Sequence, residues 1–126
     1  MSTEITHIHH CSVLISDTEQ ALAFYQGVLG LTVNPDRPDL GYPGAWLDVG
    51  DQQIHLLELP NPDAGLERPQ HGGRDRHVAL VVNDLEWLID RLQQSEILYS
   101  LSRSGRRALF CHDPDGNALE FIQTDG

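Results

Sequence analysis

The 126-residue sequence contains no lysine, two cysteines, one methionine and few aromatic residues. Schiff-base chemistry on a lysine is therefore excluded, and the eight basic residues are all arginines, which leaves bidentate recognition of anions open. Two cysteines are too few for a disulfide framework. No apolar run approaches the roughly 18 residues that a membrane span needs, and the N-terminus lacks the pattern of a signal peptide. We therefore expect a cytoplasmic enzyme or binding protein.

Acidic residues outnumber basic ones by 19 to 8, which gives a formal net charge of −11. This excess argues against nucleic acid and anionic membrane surfaces as partners, because both repel a negative protein. The hydrophobic content of 40% is typical of a globular chain, and the length favours one domain.

One stretch of the sequence occurs twice. His10-Cys-Ser-Val-Leu-Ile-Ser-Asp17 and His77-Val-Ala-Leu-Val-Val-Asn-Asp84 each begin with a histidine and continue as an apolar run. Each ends in an aspartate that starts a segment of helical period. The repeat predicts two copies of one supersecondary unit, each with a histidine on its first strand. A half-chain buries only about 60% of its unfolded surface, so the units should share a core or pair with another chain.

Each unit is predicted to contain a strand, a helix and three further strands. The fold class is therefore α+β, with two βαβββ modules forming a curved mixed sheet around a concave site and helices on the convex side. In the first module, about 5–59, we expect strands over 5–16, 31–34, 45–49 and 53–59, and a helix that begins at Asp17 or Thr18 and ends at Gly30. A linker over 60–76 follows. In the second module, about 77–123, we expect strands over 77–83, 97–102, 107–112 and 118–123, and a helix over 84–94.

Four side chains of metal-ligand type occupy matched positions in the two modules: His10, His55, His77 and Glu120. Aligning the last strands of the modules places His55 on Glu120. The two-residue period of a strand directs all four away from the apolar residues that face the helices. By the same period, His7 and His9 should point away from His10.

Three imidazoles and one carboxylate are suitable ligands for Zn, Fe, Ni, Co or Mn. A buried carboxylate beside three unmetallated imidazoles would be poorly satisfied, which favours a cation. The alternative is that each residue is a hydrogen-bonded polar group in a half-buried strand. The four ligands converge if the concave faces close on each other, within one chain or between two.

The chain resembles the vicinal oxygen chelate superfamily, which includes glyoxalase I, methylmalonyl-CoA epimerase, extradiol dioxygenases, and the fosfomycin- and bleomycin-resistance proteins. The resemblance covers about residues 5–123. Its motifs are His10-x6-Asp17, Phe24-Tyr25 with Leu29-Gly30-Leu31, His77-Val-Ala-Leu-Val-Val-Asn-Asp84, and Asp113-Pro-Asp-Gly-Asn117 followed by Glu120-Phe121. It implies one domain over 1–126 and a metal held by His10, His77 and Glu120. His55 lies at a position that varies between members of the superfamily.

Similarity to the glyoxalase I-like subgroup implies a metal-dependent lyase or isomerase. The metal would chelate vicinal oxygens of a small substrate, such as the thiohemiacetal of a 2-oxoaldehyde, and would stabilise the enediolate formed when Glu120 removes a proton. An Fe(II) extradiol-type dioxygenase and a non-catalytic binding protein for a metal or small ligand remain alternatives. Related small chains usually pair, so we expect a homodimer. A thiol or carboxylate conjugate could be bound by one or more of four arginines: Arg37, Arg103, Arg106 and Arg107.

Overall fold

The computed structural model describes residues 3–124 and confirms two βαβββ modules. The first module contains β1 (His10–Ile15), α1 (Thr18–Leu22) continued by a π-helical segment (Ala23–Val28), β2 (Thr32–Val33), β3 (Gly44–Val49) and β4 (Gln52–Glu58). The second contains β5 (His77–Val82), α2 (Leu85–Gln94), β6 (Tyr99–Leu101), β7 (Ala108–His112) and β8 (Ala118–Gln123). A short 3-10 turn, Gly72–Arg74, lies in the linker. Within residues 3–124, no helix combines the length and apolar character that crossing a membrane would demand.

Each module forms one four-stranded mixed sheet. The strand orders are β1-β4-β3-β2 and β5-β8-β7-β6, so the first strand of each module lies at an edge and pairs with the last. That pairing is parallel in both sheets, whereas the other pairings are antiparallel. Ser12 pairs with His55 and Ala79 pairs with Glu120, so the two sheets have the same register. The predicted match of His55 with Glu120 is therefore present in the strand pairing.

The ends of the helices follow local sequence signals. Asp17 accepts a hydrogen bond from the backbone N–H of Gln20 at 3.0 Å, and Asp84 accepts one from Glu86 at 3.1 Å. Gly30 has a φ of +77°, which an L side chain rarely adopts, and it ends the first helical region. The guanidinium of Arg91 on α2 donates to the carbonyl oxygens at the end of that region, which would otherwise lack partners.

The modules share one hydrophobic core. Cys11, Val13 and Ile15 of β1 lie in or against this core, as do the alternate β5 residues Val78, Leu80 and Val82. His10 and His77 begin these strands on the opposite face and are exposed. The two-residue period predicted this difference correctly.

The Asp113–Asn117 turn joins the second module to the first. The hydroxyl of Tyr25 donates to Oδ2 of Asp113 at 2.7 Å in a buried contact. Asn117 Nδ2 donates to the carbonyl oxygen of Leu14 at 2.9 Å, and the N–H of Ser16 donates to Oδ1 of Asp115 at 3.1 Å. The turn therefore holds the end of β1 and the first helical region against β7 and β8.

Candidate functional site

The first pair of candidate ligands forms part of a stack of aromatic rings. The rings of His10 and His55 are stacked with centroids 3.9 Å apart and an interplanar angle of 15°. Trp46, which pairs with His55 across β3 and β4, stacks on the other side of His55 at 4.5 Å and 8°. His55 is 8% exposed. The strand register thus brings the two histidines together and packs Trp46 against the inner one.

The surroundings of His55 favour its neutral imidazole form. Its Nε2 lies 2.8 Å from the amide oxygen of Gln53, which accepts a hydrogen bond and leaves the lone pair on Nδ1. Burial lowers the pKa of His55, and the nearby His10, His9 and Arg37 lower it further. A neutral imidazole with a free lone pair is the form that binds a metal.

One sequence expectation about this pair is wrong. The first strand begins at His10 and does not extend over 5–16, so the two-residue period does not apply to the preceding histidines. His9 does not point away from His10: their Nδ1 atoms are 2.8 Å apart and their rings meet at 83°. The carbonyl oxygen of His9 still accepts a hydrogen bond from the N–H of Gln53 at 3.2 Å, but residues 5–9 lie before the strand, where its two-residue period does not set the directions of side chains.

The second pair of candidate ligands is in direct contact. His77 Nδ1 lies 2.8 Å from the backbone carbonyl oxygen of Asp75, so Nδ1–H donates and Nε2 carries the lone pair of the neutral ring. His77 Nε2 lies 3.1 Å from Oε1 of Glu120. A lone pair would face a carboxylate oxygen there, so a proton or a metal ion must lie between the two atoms.

The spacing of this pair fits a metal ion. Two donors that are each about 2.1 Å from one ion lie roughly 3.0–3.4 Å apart in octahedral or tetrahedral geometry. The separation of 3.1 Å between His77 Nε2 and Glu120 Oε1 is within that range. A ligating histidine usually donates its other N–H to a carbonyl or carboxylate, as His77 does to Asp75. The geometry of His77 and Glu120 therefore suits two ligands of one metal ion, and it equally suits a hydrogen bond from a protonated His77 to the carboxylate.

Glu120 is 3% exposed, and both of its oxygens have partners. Oε1 contacts His77, and Oε2 lies 3.2 Å from Nη2 of Arg106. The sequence indicated Arg106 only as a candidate substrate-binding residue. Its contact with Glu120 was missed because Arg106 lies in the turn before β7, where no periodic pattern indicates the direction of a side chain. Gln53 and the carbonyl of Asp75 were also missed, although each lies two residues before the histidine that it contacts. The two-residue period of β4 places Gln53 on the same face as His55 and was the signal that could have indicated it.

The structure brings the four predicted ligands together as two pairs, His10 with His55 and His77 with Glu120. Among residues 3–124, no group of three or more His, Cys, Asp or Glu side chains is placed to hold one metal ion. A four-ligand site is therefore not assembled in the described part of a single chain, and the predicted convergence of all four remains a prediction.

Comparisons with known proteins support the resemblance seen in the motifs. A family model described as "Glyoxalase/Bleomycin resistance protein/Dioxygenase superfamily" matches residues 7–121. "Glyoxylase I 4" of Arabidopsis thaliana is 30% identical over 126 residues, covering 96% of this chain and 72% of the relative. The lactoylglutathione lyase of Haemophilus influenzae is 27% identical, with 92% of this chain and 91% of the relative covered.

The fold is also shared with solved structures. A glyoxalase family protein from Bacillus anthracis superposes with a TM-score of 0.79 and 25% identity, covering 99% of this chain and 100% of that one. The agreement extends over both modules. The repeat, the paired sheets and the match over residues 7–121 lead to one conclusion: this chain belongs to the Glyoxalase/Bleomycin resistance protein/Dioxygenase superfamily.

Proposed function

We propose that the chain is a metal-dependent lyase or isomerase of the glyoxalase type, acting on a small substrate that offers two vicinal oxygens. The observation that carries this proposal is the pair formed by His77 and Glu120. Its 3.1 Å spacing and the Asp75 carbonyl behind the ring match a metal-binding pair. The names of two relatives, "Glyoxylase I 4" and lactoylglutathione lyase, support a 2-oxoaldehyde thiohemiacetal as the substrate class.

We further propose that two copies of the chain complete the site, with His10 and His55 of one copy facing His77 and Glu120 of the other. This follows from the separation of the pairs within the described part of one chain. The ligand-bearing side of β5 is open, since His77 and Ala79 are exposed and Val81 is 67% exposed. An apolar residue left open beside two ligands favours a covering partner.

Glu120 is the base in this proposal. When bound, a divalent metal supplies Lewis acidity that polarises the carbonyl of the substrate. A carboxylate oxygen of Glu120 would take the proton from the hydroxyl-bearing carbon next to that carbonyl and return it to the carbonyl carbon, while the hydroxyl proton passes to the former carbonyl oxygen, which isomerises the substrate. Arg106 holds the carboxylate in one orientation through Oε2.

A binding protein without turnover is the second candidate, and one observation favours it. Both oxygens of Glu120 are already in contact with basic side chains, so neither oxygen is free to take a proton from a substrate. This candidate predicts tight metal binding with no proton transfer.

A turnover assay with methylglyoxal and glutathione distinguishes the lyase from the binding protein. The assay uses protein loaded with Ni, Zn, Co, Mn or Fe, and absence of turnover with every metal would contradict the lyase proposal. Measuring oxygen uptake with catechols in the iron-loaded sample tests the dioxygenase alternative.

Mixing two inactive variants tests the shared site. The first variant, His10→Ala/His55→Ala, retains only the second pair of ligands, and His77→Ala/Glu120→Ala retains only the first. A mixed dimer contains one copy of each variant, so one of its two sites has both pairs of ligands and the other site has neither pair. We expect an equal mixture, after subunit exchange, to recover about a quarter of the wild-type metal content, since about half of the dimers are mixed.

The control for this experiment is each variant exchanged with itself, which should recover no metal. Recovery in the mixture with none in the controls supports a site made by two chains. If the mixture binds no more metal than the controls, the site is not shared between copies.

A further inference from the structure

A pocket of about 520 Å³ lies between the linker and the turn that joins β6 to β7. Three of the eight arginines line it, Arg74, Arg103 and Arg106, and no aspartate or glutamate of residues 3–124 does. The chain carries a formal net charge of −11, so a pocket wall without any carboxylate differs in charge from the rest of the molecule. Like charges gathered around a cavity oppose folding and attract a ligand of opposite sign.

Two of these arginines have no counter-ion within the described residues. Neither Arg74 nor Arg103 takes part in an ion pair among residues 3–124, whereas Arg68, Arg76 and Arg106 each do. The charge of Arg106 is shared with Glu120. The wall of the pocket therefore carries about two positive charges that form no ion pair with a carboxylate in the described part of the chain.

Uncharged hydrogen-bonding groups add to this wall. The hydroxyls of Ser102 and Ser104 line the pocket and lie 2.8 Å apart, and Arg106 Nε donates to Ser104 Oγ at 3.3 Å. His71 also lines it, and its Nδ1 accepts from the N–H of Gly73 at 3.0 Å, which places the ring hydrogen on Nε2. His71 Nε2 is buried and has no hydrogen-bond partner within residues 3–124.

The pocket shares two residues with the surroundings of the second ligand pair. Phe110 lines the pocket, and its ring packs edge-on against His77 at 5.5 Å. Arg106 lines the pocket with its guanidinium and contacts Glu120 with the same group. A molecule held by His77 and Glu120 could therefore extend into the pocket without leaving the protein surface.

We propose that this pocket binds a doubly charged oxyanion of the phosphate type. About two uncompensated positive charges match the charge of −1.5 to −2 on a phosphate group at neutral pH, and guanidinium and hydroxyl donors suit its several oxygens. This site goes beyond the proposed function, whose substrate class requires no phosphate group. The charge of the pocket itself does not depend on that function.

Binding of inorganic phosphate tests the pocket directly. Isothermal titration calorimetry of the full chain without added metal, at constant ionic strength, is compared between wild type, Arg74→Gln and Arg103→Gln. The control is Arg107→Gln, which removes an exposed arginine beside the pocket that does not line it. We expect phosphate affinity to fall roughly tenfold in each pocket variant and to be unchanged in the control. Acetate should bind roughly tenfold more weakly than phosphate, because its single charge leaves one arginine unpaired.

Three results would overturn the proposal: no phosphate binding to wild type, an equal loss in Arg107→Gln, or acetate binding as tightly as phosphate. Unchanged melting temperatures of the variants show that a loss of binding is not a loss of folding. Phosphate binding without methylglyoxal turnover would contradict the proposed function and still support the phosphate site. Turnover without phosphate binding would contradict the phosphate site and still support the proposed function.

Discussion

At the scale of single residues, groups that are not ligands set the state of the candidate metal ligands. Gln53 holds the hydrogen of His55 on Nε2, and the carbonyl of Asp75 holds the hydrogen of His77 on Nδ1. These contacts orient each ring and choose which nitrogen can bind a metal. Such partners typically affect metal affinity by about 10–100-fold when they are removed.

Gln53→Ala is therefore expected to weaken metal binding by about 10–100-fold. The variant leaves His55 Nε2 without its amide partner and frees the ring to rotate. Competition for Zn or Ni against a chelating dye measures the change. Gln52→Ala is the matched control, since this neighbouring side chain is exposed on the other face of β4. Equal affinities in the two variants would show that Gln53 does not orient His55.

At the scale of elements, one turn joins the two modules. Tyr25 of the first helical region donates to Asp113 of the turn between β7 and β8, and Asn117 of that turn donates to the end of β1. The Asp-Pro-Asp-Gly-Asn motif thus has a structural role here besides leading into the strand of Glu120. Burial raises the pKa of Tyr25 above its ordinary value of 10, and the adjacent Asp113 carboxylate raises it further.

Tyr25→Phe is expected to lower the free energy of unfolding by about 1–2 kcal/mol at pH 8, because a buried hydrogen bond is lost. The raised pKa keeps Tyr25 protonated in the folded chain, so its stabilisation is complete below about pH 10 and falls by about 1.4 kcal/mol per pH unit above it. The difference between wild type and variant should therefore shrink towards pH 11.

Urea denaturation at pH 8, 10 and 11 measures this difference. Cys111, whose pKa burial raises to about 12, loses its proton in the unfolded state of both proteins and cancels in the comparison. Tyr99→Phe, which removes a surface contact with Gln93, is the control and should change the free energy of unfolding little. A difference that stays constant from pH 8 to 11 would contradict the role given to Tyr25.

At the scale of the whole molecule, the two ligand pairs lie at corresponding positions of two equivalent sheets. The first strand of each sheet is at an edge, and the ligand faces of β1 and β5 begin with exposed histidines. A metal held between two copies would link their association to its own binding, since a ligand that binds only the assembled state stabilises that state.

Removal of the metal is therefore expected to weaken dimer formation. Sedimentation equilibrium of the chain with and without a chelator should show an increase of about tenfold or more in the dimer dissociation constant. Glu120→Gln, which replaces a charged ligand with a neutral amide of similar size, should show no effect of the chelator. An unchanged dissociation constant in the wild type would mean that the metal does not bridge the copies.

The local sequence determined much of this protein. The repeated His-x6-Asp pattern predicted two βαβββ modules, Asp17, Asp84 and Gly30 marked helix ends, and alternation placed His10 and His77 opposite the core. These features depend on backbone preferences and on the period of a strand or helix, which are properties of neighbouring residues. The same rule failed at His9, because the strand begins only at His10.

Tertiary structure determined the contacts that local sequence patterns could not predict. The contacts of Arg106 with Glu120 and of Tyr25 with Asp113 join side chains whose directions are set by turns and by packing between elements. The separation of the ligands into two pairs likewise follows from how the two sheets pack around a common core. The period of the sequence determines the face of a strand or helix on which a side chain lies. Only the packing of the elements determines which neighbouring element contacts that face.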